Sequence, residues 1–299
     1  MSRAAPPPAA PFSGTPLDDA LADLLHADAR RQTSQTLSRS YRLAYRDPDF
    51  LLRDNMRAVR FQLELLKPDM LLEEAGILST FVIYGSARIP RADACTTEGA
   101  PHPLAHHYAQ ARALARLASA FPAESDGRRH FVVCSGGGPS IMEAANRGAA
   151  DAGQTSVGLN IVLPMEQVPN DFVTPELCFQ FHYFALRKMH FILRAKAVAV
   201  FPGGFGTLDE LFDLLTLMQT GKMAIIPLLL FDESFWREVV DFDALVERGM
   251  IAQRDLSLIR FVPDAQAAWD AVQRFYTEHP EPIWHRRHPA AAGGGAQAS

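Results

Sequence analysis

VAVFPGGFGTLDELFDLL, residues 198–215, is the stretch whose reading decides the fold. The apolar run Ala197–Phe201 reads as a buried strand. It passes into Pro202-Gly203-Gly204-Phe205-Gly206-Thr207, and a helix is predicted from about Leu208. Glycines let the backbone turn sharply and bring several N–H groups close to a ligand. A helix start adds free N–H groups and the positive end of its dipole, so the junction is suited to an anion. Thr207 reads as an N-cap whose hydroxyl can also reach a phosphate, and Glu210 falls in the first turn. The plainer alternative makes Thr207 and Glu210 a capping box, with glycines that only turn the chain.

The same logic recurs on both sides of this segment. FVVCSGGGPSIMEAANRGAA, residues 131–150, runs from a strand through Gly136, Gly137 and Gly138 into a helix with Pro139 near its start. Glu143 and Asn146 share one face of that helix. FVIYGSARIP, residues 81–90, offers Gly85, Ser86 and Arg88 at a third strand end. Further strands are predicted over Ser156–Ile161, Cys178–Phe184, Ile225–Phe231 and Leu258–Val262. Helical stretches are predicted over Leu104–Phe121, Ser140–Ala152, Leu186–Ala195, Leu208–Thr220, Ser234–Arg248 and Ala265–Thr277. Short apolar strands alternating with amphipathic helices indicate an α/β fold, a Rossmann-like doubly wound parallel sheet with helices on both faces. Ligands of such sheets bind beyond the carboxyl ends of the strands, where these glycine turns fall.

Outside that core, residues 1–15 and 289–299 are low-complexity Ala/Pro- and Ala/Gly-rich tails expected to be disordered. Residues 16–79 read as an N-terminal helical extension, with helices over Leu17–Arg31 and Pro48–Leu66, and residues 80–280 as the nucleotide-binding catalytic domain. The chain has 299 residues and a formal net charge of −5. No global basic field recruits nucleic acid, so a phosphate-bearing ligand must be held locally. The three cysteines, Cys95, Cys134 and Cys178, form no CxxC pair. With no apolar signal core or membrane-length run, they point to a cytoplasmic protein. The P-loop pattern GxxxxGK[ST] is absent, and GxGxxG fails because Asp209 stands where the third glycine belongs.

SGGGPSIMEAANRGA, FQFHYFALRKMHFILRAKA and above all PGGFGTLDE resemble the LOG family of phosphoribohydrolases, many labelled "possible lysine decarboxylase". The resemblance spans about Phe81–Phe275. It implies a Rossmann-like fold, a homodimer or higher homo-oligomer, and a catalytic pair formed by Arg187 and Glu210, with Lys188 following the arginine. The triple glycine followed by PSIMEAAN, with the N-terminal helices, looks closer to the larger bacterial nucleotide 5′-monophosphate nucleosidases than to the short plant members. The implied reaction is hydrolysis of the N-glycosidic bond of a nucleoside 5′-monophosphate, AMP or a cytokinin-type riboside monophosphate. Glu210 would stabilise positive charge on the ribose and Arg187 orient the nucleotide. Gly85, Ser86, Arg88, Gly136, Gly137, Gly138, Glu143, Lys188, Gly203, Gly204, Gly206 and Thr207 are expected to bind the substrate.

No cofactor and no metal is expected. His102, His106 and His107 have helical spacing but no supporting carboxylate or cysteine, and read as a solvated helix face. His182 and His190 read either as cleft or as core residues, and Trp236 and Trp269 as core or interface aromatics. A nucleotide-binding carrier or sensor is the alternative function. Pyridoxal-dependent decarboxylation lacks a recognisable lysine segment.

Overall fold

The computed structural model describes residues 20, 21, 23, 32–91, 102–124, 126–164 and 168–279. Both expected tails, most of the Leu17–Arg31 helix and Cys95 lie outside these. The chain divides into two compact units, Met1–Arg60 and Phe61–Ser299. In the first, the helix expected over Pro48–Leu66 is broken. A single turn, α1 (Pro48–Leu51), is capped by the Asp47 carboxylate and separated from α2 (Arg57–Glu74) by a 3-10 turn, Asp54–Met56. Arg53 is extended at the break, and the Arg60 guanidinium donates to the carbonyls of Leu51 and Arg53. That side chain satisfies acceptors which a continuous helix would have used.

The second unit holds seven parallel strands: β1 (Thr80–Tyr84), β2 (Val132–Ser135), β3 (Val157–Ile161), β4 (Cys178–Phe181), β5 (Ala195–Val200), β6 (Leu228–Phe231) and β7 (Arg260–Val262). Their order is β4-β3-β2-β1-β5-β6-β7. Between them run α3 (Ala105–Ser119), α4 (Ile141–Asp151), α5 (Phe184–Leu193), α6 (Phe205–Gln219), α7 (Glu233–Val239), α8 (Phe242–Glu247) and, last, α9 (Ala265–Glu278). Strand side chains alternate between two cores. Phe81, Ile83, Val133 and Ala199 pack with α3, α4 and α9; Val82, Tyr84, Val132 and Val198 pack with α2, α5 and α6. Burial on both faces is why these strands read as unbroken apolar runs. The helix expected over Ser234–Arg248 is two, because the Asp241 carboxylate accepts from Ala244 N–H and starts α8 afresh.

Residues 61–74, expected in an extension outside the domain, belong with the sheet. Leu72 is buried in the second core, and Phe61, Leu65 and Leu71 pack against it. Trp236 is fully buried and donates its indole N–H to Phe231 O, while Trp269 packs edge-on against Phe131. No helix among the described residues is long and apolar enough to cross a membrane.

Among the described residues the most extensive helix contact is between α3 and α4, which bring Ala111, Ala115, Ala118, Ala144, Ala145 and Ala149 into one core. At its centre a Cβ on Gly148 would lie 2.2 Å from Arg112 O. Gly148→Ala improves helix propensity by about 1 kcal/mol, yet it forces two backbones apart. We expect a net loss of about 1–3 kcal/mol in urea unfolding, because overpacking against backbone cannot relax through a rotamer. A variant as stable as the parent would show that the two helices shift freely.

Candidate functional site

Strand order reverses between β1 and β5, and the crevice beyond their carboxyl ends is where a doubly wound sheet takes its ligand. Gly85-Ser86 leaves β1 there and Pro202-Gly203-Gly204 leaves β5; Ser86 N–H donates to Pro202 O at 3.1 Å. The β5 loop differs from expectation in one respect. Helix α6 starts at Phe205 with Gly204 as N-cap, so Thr207 is not the cap and no Thr207–Glu210 capping box forms. Instead Thr207 is buried in the first turn and folds back over Gly203, where a Cβ would meet its Oγ1 at 2.1 Å. Gly204 and Gly206 face open space. The helix reaches further into the crevice than predicted, with the N–H groups of its first turn pointing at the opening.

Arg187 comes from the other side, on α5. That helix is anchored by Glu64 of α2, whose carboxylate accepts from the N–H groups of His182 and Tyr183 at 3.0 and 3.2 Å. A carboxylate there is favoured by the helix dipole. The Arg187 guanidinium donates from Nε to Leu159 O at 2.7 Å and lies over the Phe191 ring, 5.3 Å from its centroid. It occupies the space that a side chain on Gly136 would fill, since a Cβ there would be 2.6 Å from Nη2. The triple glycine is therefore, in part, room for the arginine. Gly137, at φ +71°, needs to be glycine on two counts: its backbone is left-handed, and a Cβ would meet Asn160 Oδ1 at 2.5 Å. The carbonyls of Gly137 and Gly138 accept from Asn170 Nδ2.

Glu210 sits in the second turn of α6 and is 8% exposed. Burial pushes its carboxyl up to about 7, against the opposing pull of the Arg187 and Lys188 charges. Burial likewise lowers the guanidinium of Arg187, with Glu210 acting in the other direction. No ion pair joins the two among the described residues. Lys188 is instead paired with Asp209 at 2.7 Å.

Tyr84 joins this group and was not among the expected residues. Its hydroxyl is driven well above its ordinary value by burial and next by Glu210. Its ring packs edge-on to Phe191 at 5.0 Å. In FVIYGSARIP it reads as one more apolar strand residue; only its register opposite Val200 brings it to the site.

Other expected residues go elsewhere. The Glu143 carboxylate accepts from Tyr108 Oη at 2.8 Å and pairs with Arg91 at 3.0 Å, behind the glycine loop. Ser86 Oγ accepts from Arg88 N–H, and the Arg88 side chain is exposed. His190 is a core residue that donates to Glu64 O, whereas His182 is exposed. The reading of His107 as solvated is overturned: it is 2% exposed and lies 3.1 Å from Asp232 Oδ2, a carboxylate contributed by the end of β6. Burial raises the thiols of Cys134 and Cys178, which leaves both weak nucleophiles.

Residues 142–272 match the family described as "Possible lysine decarboxylase". A rice protein, "Probable cytokinin riboside 5′-monophosphate phosphoribohydrolase LOGL3" from Oryza sativa subsp. japonica, is 25% identical over 50% of this chain and 70% of its own length. Cytokinin riboside 5′-monophosphate phosphoribohydrolase LOG7 from Arabidopsis thaliana is 26% identical over 52% of this chain and 71% of its own. Among solved structures, the Moco carrier protein of Chlamydomonas reinhardtii covers 67% of this chain and 98% of its own at 19% identity and a TM-score of 0.42, too slight a likeness to bear on function. Over its matched segment the chain is similar to the "Possible lysine decarboxylase" family and to LOG-named phosphoribohydrolases.

Proposed function

We propose that the protein hydrolyses the N-glycosidic bond of a nucleoside 5′-monophosphate, with AMP the default substrate, to free base and ribose 5-phosphate. The observation that carries the reading is Glu210, a buried carboxyl on α6, held near 7 by burial, whose charge and that of the Arg187 guanidinium act on each other without an ion pair among the described residues. The 5′-phosphate is placed at the first turn of α6, among Gly203, Gly204, Gly206 and the Thr207 hydroxyl. That places the ribose beside Glu210. As the C1′–N bond stretches, positive charge grows on the ribose ring, and a carboxylate next to it lowers the barrier. Water supplies a hydroxyl to C1′ and a proton to the departing base. A carboxyl poised near neutrality can take the first proton from water. Arg187, fixed by Leu159 O and Phe191, orients the nucleotide. We place this activity in the cytoplasm, a setting that suits the free thiols Cys134 and Cys178.

Glu210 also ties activity to stability. Its folded pKa, about 7, lies above the ordinary carboxyl value of 4.5, so between these limits the folded protein holds a proton that the unfolded chain has released. Stability from this group is therefore full below about pH 4.5 and is lost as pH rises through 7. Glu210→Gln removes that loss. Relative to wild type it should be of similar stability at pH 5 and more stable at pH 8, by an amount on the order of 1–3 kcal/mol. Turnover should fall by about 10²-fold or more. Thermal unfolding at both pH values, with release of free adenine from AMP, measures both halves. A variant that kept wild-type turnover would remove Glu210 from the reaction.

The phosphate is tested by comparing AMP with adenosine. Losing two charge-assisted hydrogen bonds of about 1.5–3 kcal/mol each predicts a loss of roughly a hundredfold or more in kcat/KM. Equal values would move the phosphate away from α6.

We further propose that the chain self-associates. Leu63, Leu66 and Met70 on α2, and Phe184, Met189 and Leu193 on α5, leave large apolar side chains at least 45% exposed. Light scattering at micromolar concentration should give at least twice the 33.0 kDa chain mass; the monomer mass would refute it.

A further inference from the structure

A second cluster of chemistry-bearing side chains lies along the same edge of the sheet, past β6. His106 and His107 are in the first turn of α3, and Asp232 follows the last residue of β6. One donor atom from each, taken together, lies within 4.8 Å of the other two. We propose that His106, His107 and Asp232 form a binding site for a divalent cation of the zinc class.

The donor set is two imidazole nitrogens and one carboxylate oxygen. Nitrogen donors suit zinc and its neighbours and disfavour magnesium and calcium, which take oxygen ligands. Zinc bonds of 2.0–2.1 Å in a tetrahedron set donor atoms roughly 3.3 Å apart. His107 Nε2 and Asp232 Oδ2 already stand 3.1 Å apart. The His106 nitrogen must close by about 1.5 Å at most to reach the same spacing. His106 is exposed, and its ring centroid is 3.8 Å from that of His107, so a side-chain rotation supplies the movement. On binding, the His107 proton moves from Nε2 to Nδ1 and the cation replaces the hydrogen bond to Asp232.

The surroundings hold two of the three donors in the required state. His106 Nδ1–H donates to Pro103 O at 2.7 Å, which leaves Nε2 as the free donor atom. Asp232 Oδ1 accepts from Ser234 Oγ at 2.6 Å and from Phe235 N–H at 3.1 Å, which leaves Oδ2 facing His107. Outer partners of this kind fix ligand orientation in metal sites. The fourth position opens on a cavity of about 530 Å³ lined by Gln110, Phe231, Phe261 and Pro263, so water or a small ligand can complete the shell. Occupancy would tie α3 to the loop after β6 through the cation, where the His107–Asp232 hydrogen bond ties them now.

The test uses the full chain, stripped with EDTA and freed of tags, and zinc chloride alone as the probe. Calorimetry and metal analysis should give one zinc per chain, and zinc should raise the unfolding temperature. His106→Gln alters an exposed residue, and Asp232→Asn keeps the volume and can still accept from Phe235 N–H. Each should weaken zinc binding by more than about tenfold and abolish the thermal shift, with the circular dichroism spectrum unchanged. Wild type that holds no zinc, or variants that bind it as wild type does through other histidines, would overturn the site.

Discussion

A parallel sheet covered on both faces has no polar surface to offer except at its strand ends. In this chain that constraint governs everything else. Phe81 to Tyr84, Val132 to Ser135 and Ala197 to Val200 are wholly buried, so chemistry has to be carried by the turns that leave them. Strand order reverses between β1 and β5, and the turns that leave these two strands meet at that switch point, where a doubly wound sheet takes its ligand. The glycines then have a spatial rather than a conformational purpose at most positions. Gly136 makes way for Arg187, Gly203 for Thr207 and Gly85 for Ile141.

Near the strand ends, one buried group runs against folding. Glu210 stays without a hydrogen-bond partner among the described residues, in a place where burial penalises its charge. A sequence selected for stability alone would place an amide or an apolar residue there. The energy stored in that carboxyl is the same energy that a developing positive charge could recover, which is how a binding site differs from a well-packed core.

Much of this was legible beforehand. Strand–helix alternation gave the architecture and every strand to within a few residues, because period and apolar runs report burial directly. The glycine turns lie at the carboxyl ends of β1, β2 and β5, as their place after apolar runs indicated. What stayed illegible depended on distance in sequence. Nothing in PGGFGTLDE says that the helix begins at Phe205, since glycines permit a helical first turn as readily as a loop. Glu143 is polar and follows a glycine loop, but its partners Tyr108 and Arg91 lie on other elements. Tyr84 looked apolar until the register set it beside Val200, and His107 looked solvated until Asp232 arrived from 125 residues away.

The anchor on α5 has a further consequence. Glu64 fixes the start of the helix that carries Arg187, yet it lies well before residues 142–272, the part that matches the family. The family segment is thus not the smallest piece able to hold its own arginine in place. A chain shortened to begin at β1 would keep every glycine loop and both charged residues. It would also leave two backbone N–H groups at the head of α5 without their acceptor, so the fold could persist while the geometry of the crevice loosened. In modular terms, the N-terminal helix is a working part of the domain and not an appendage to it.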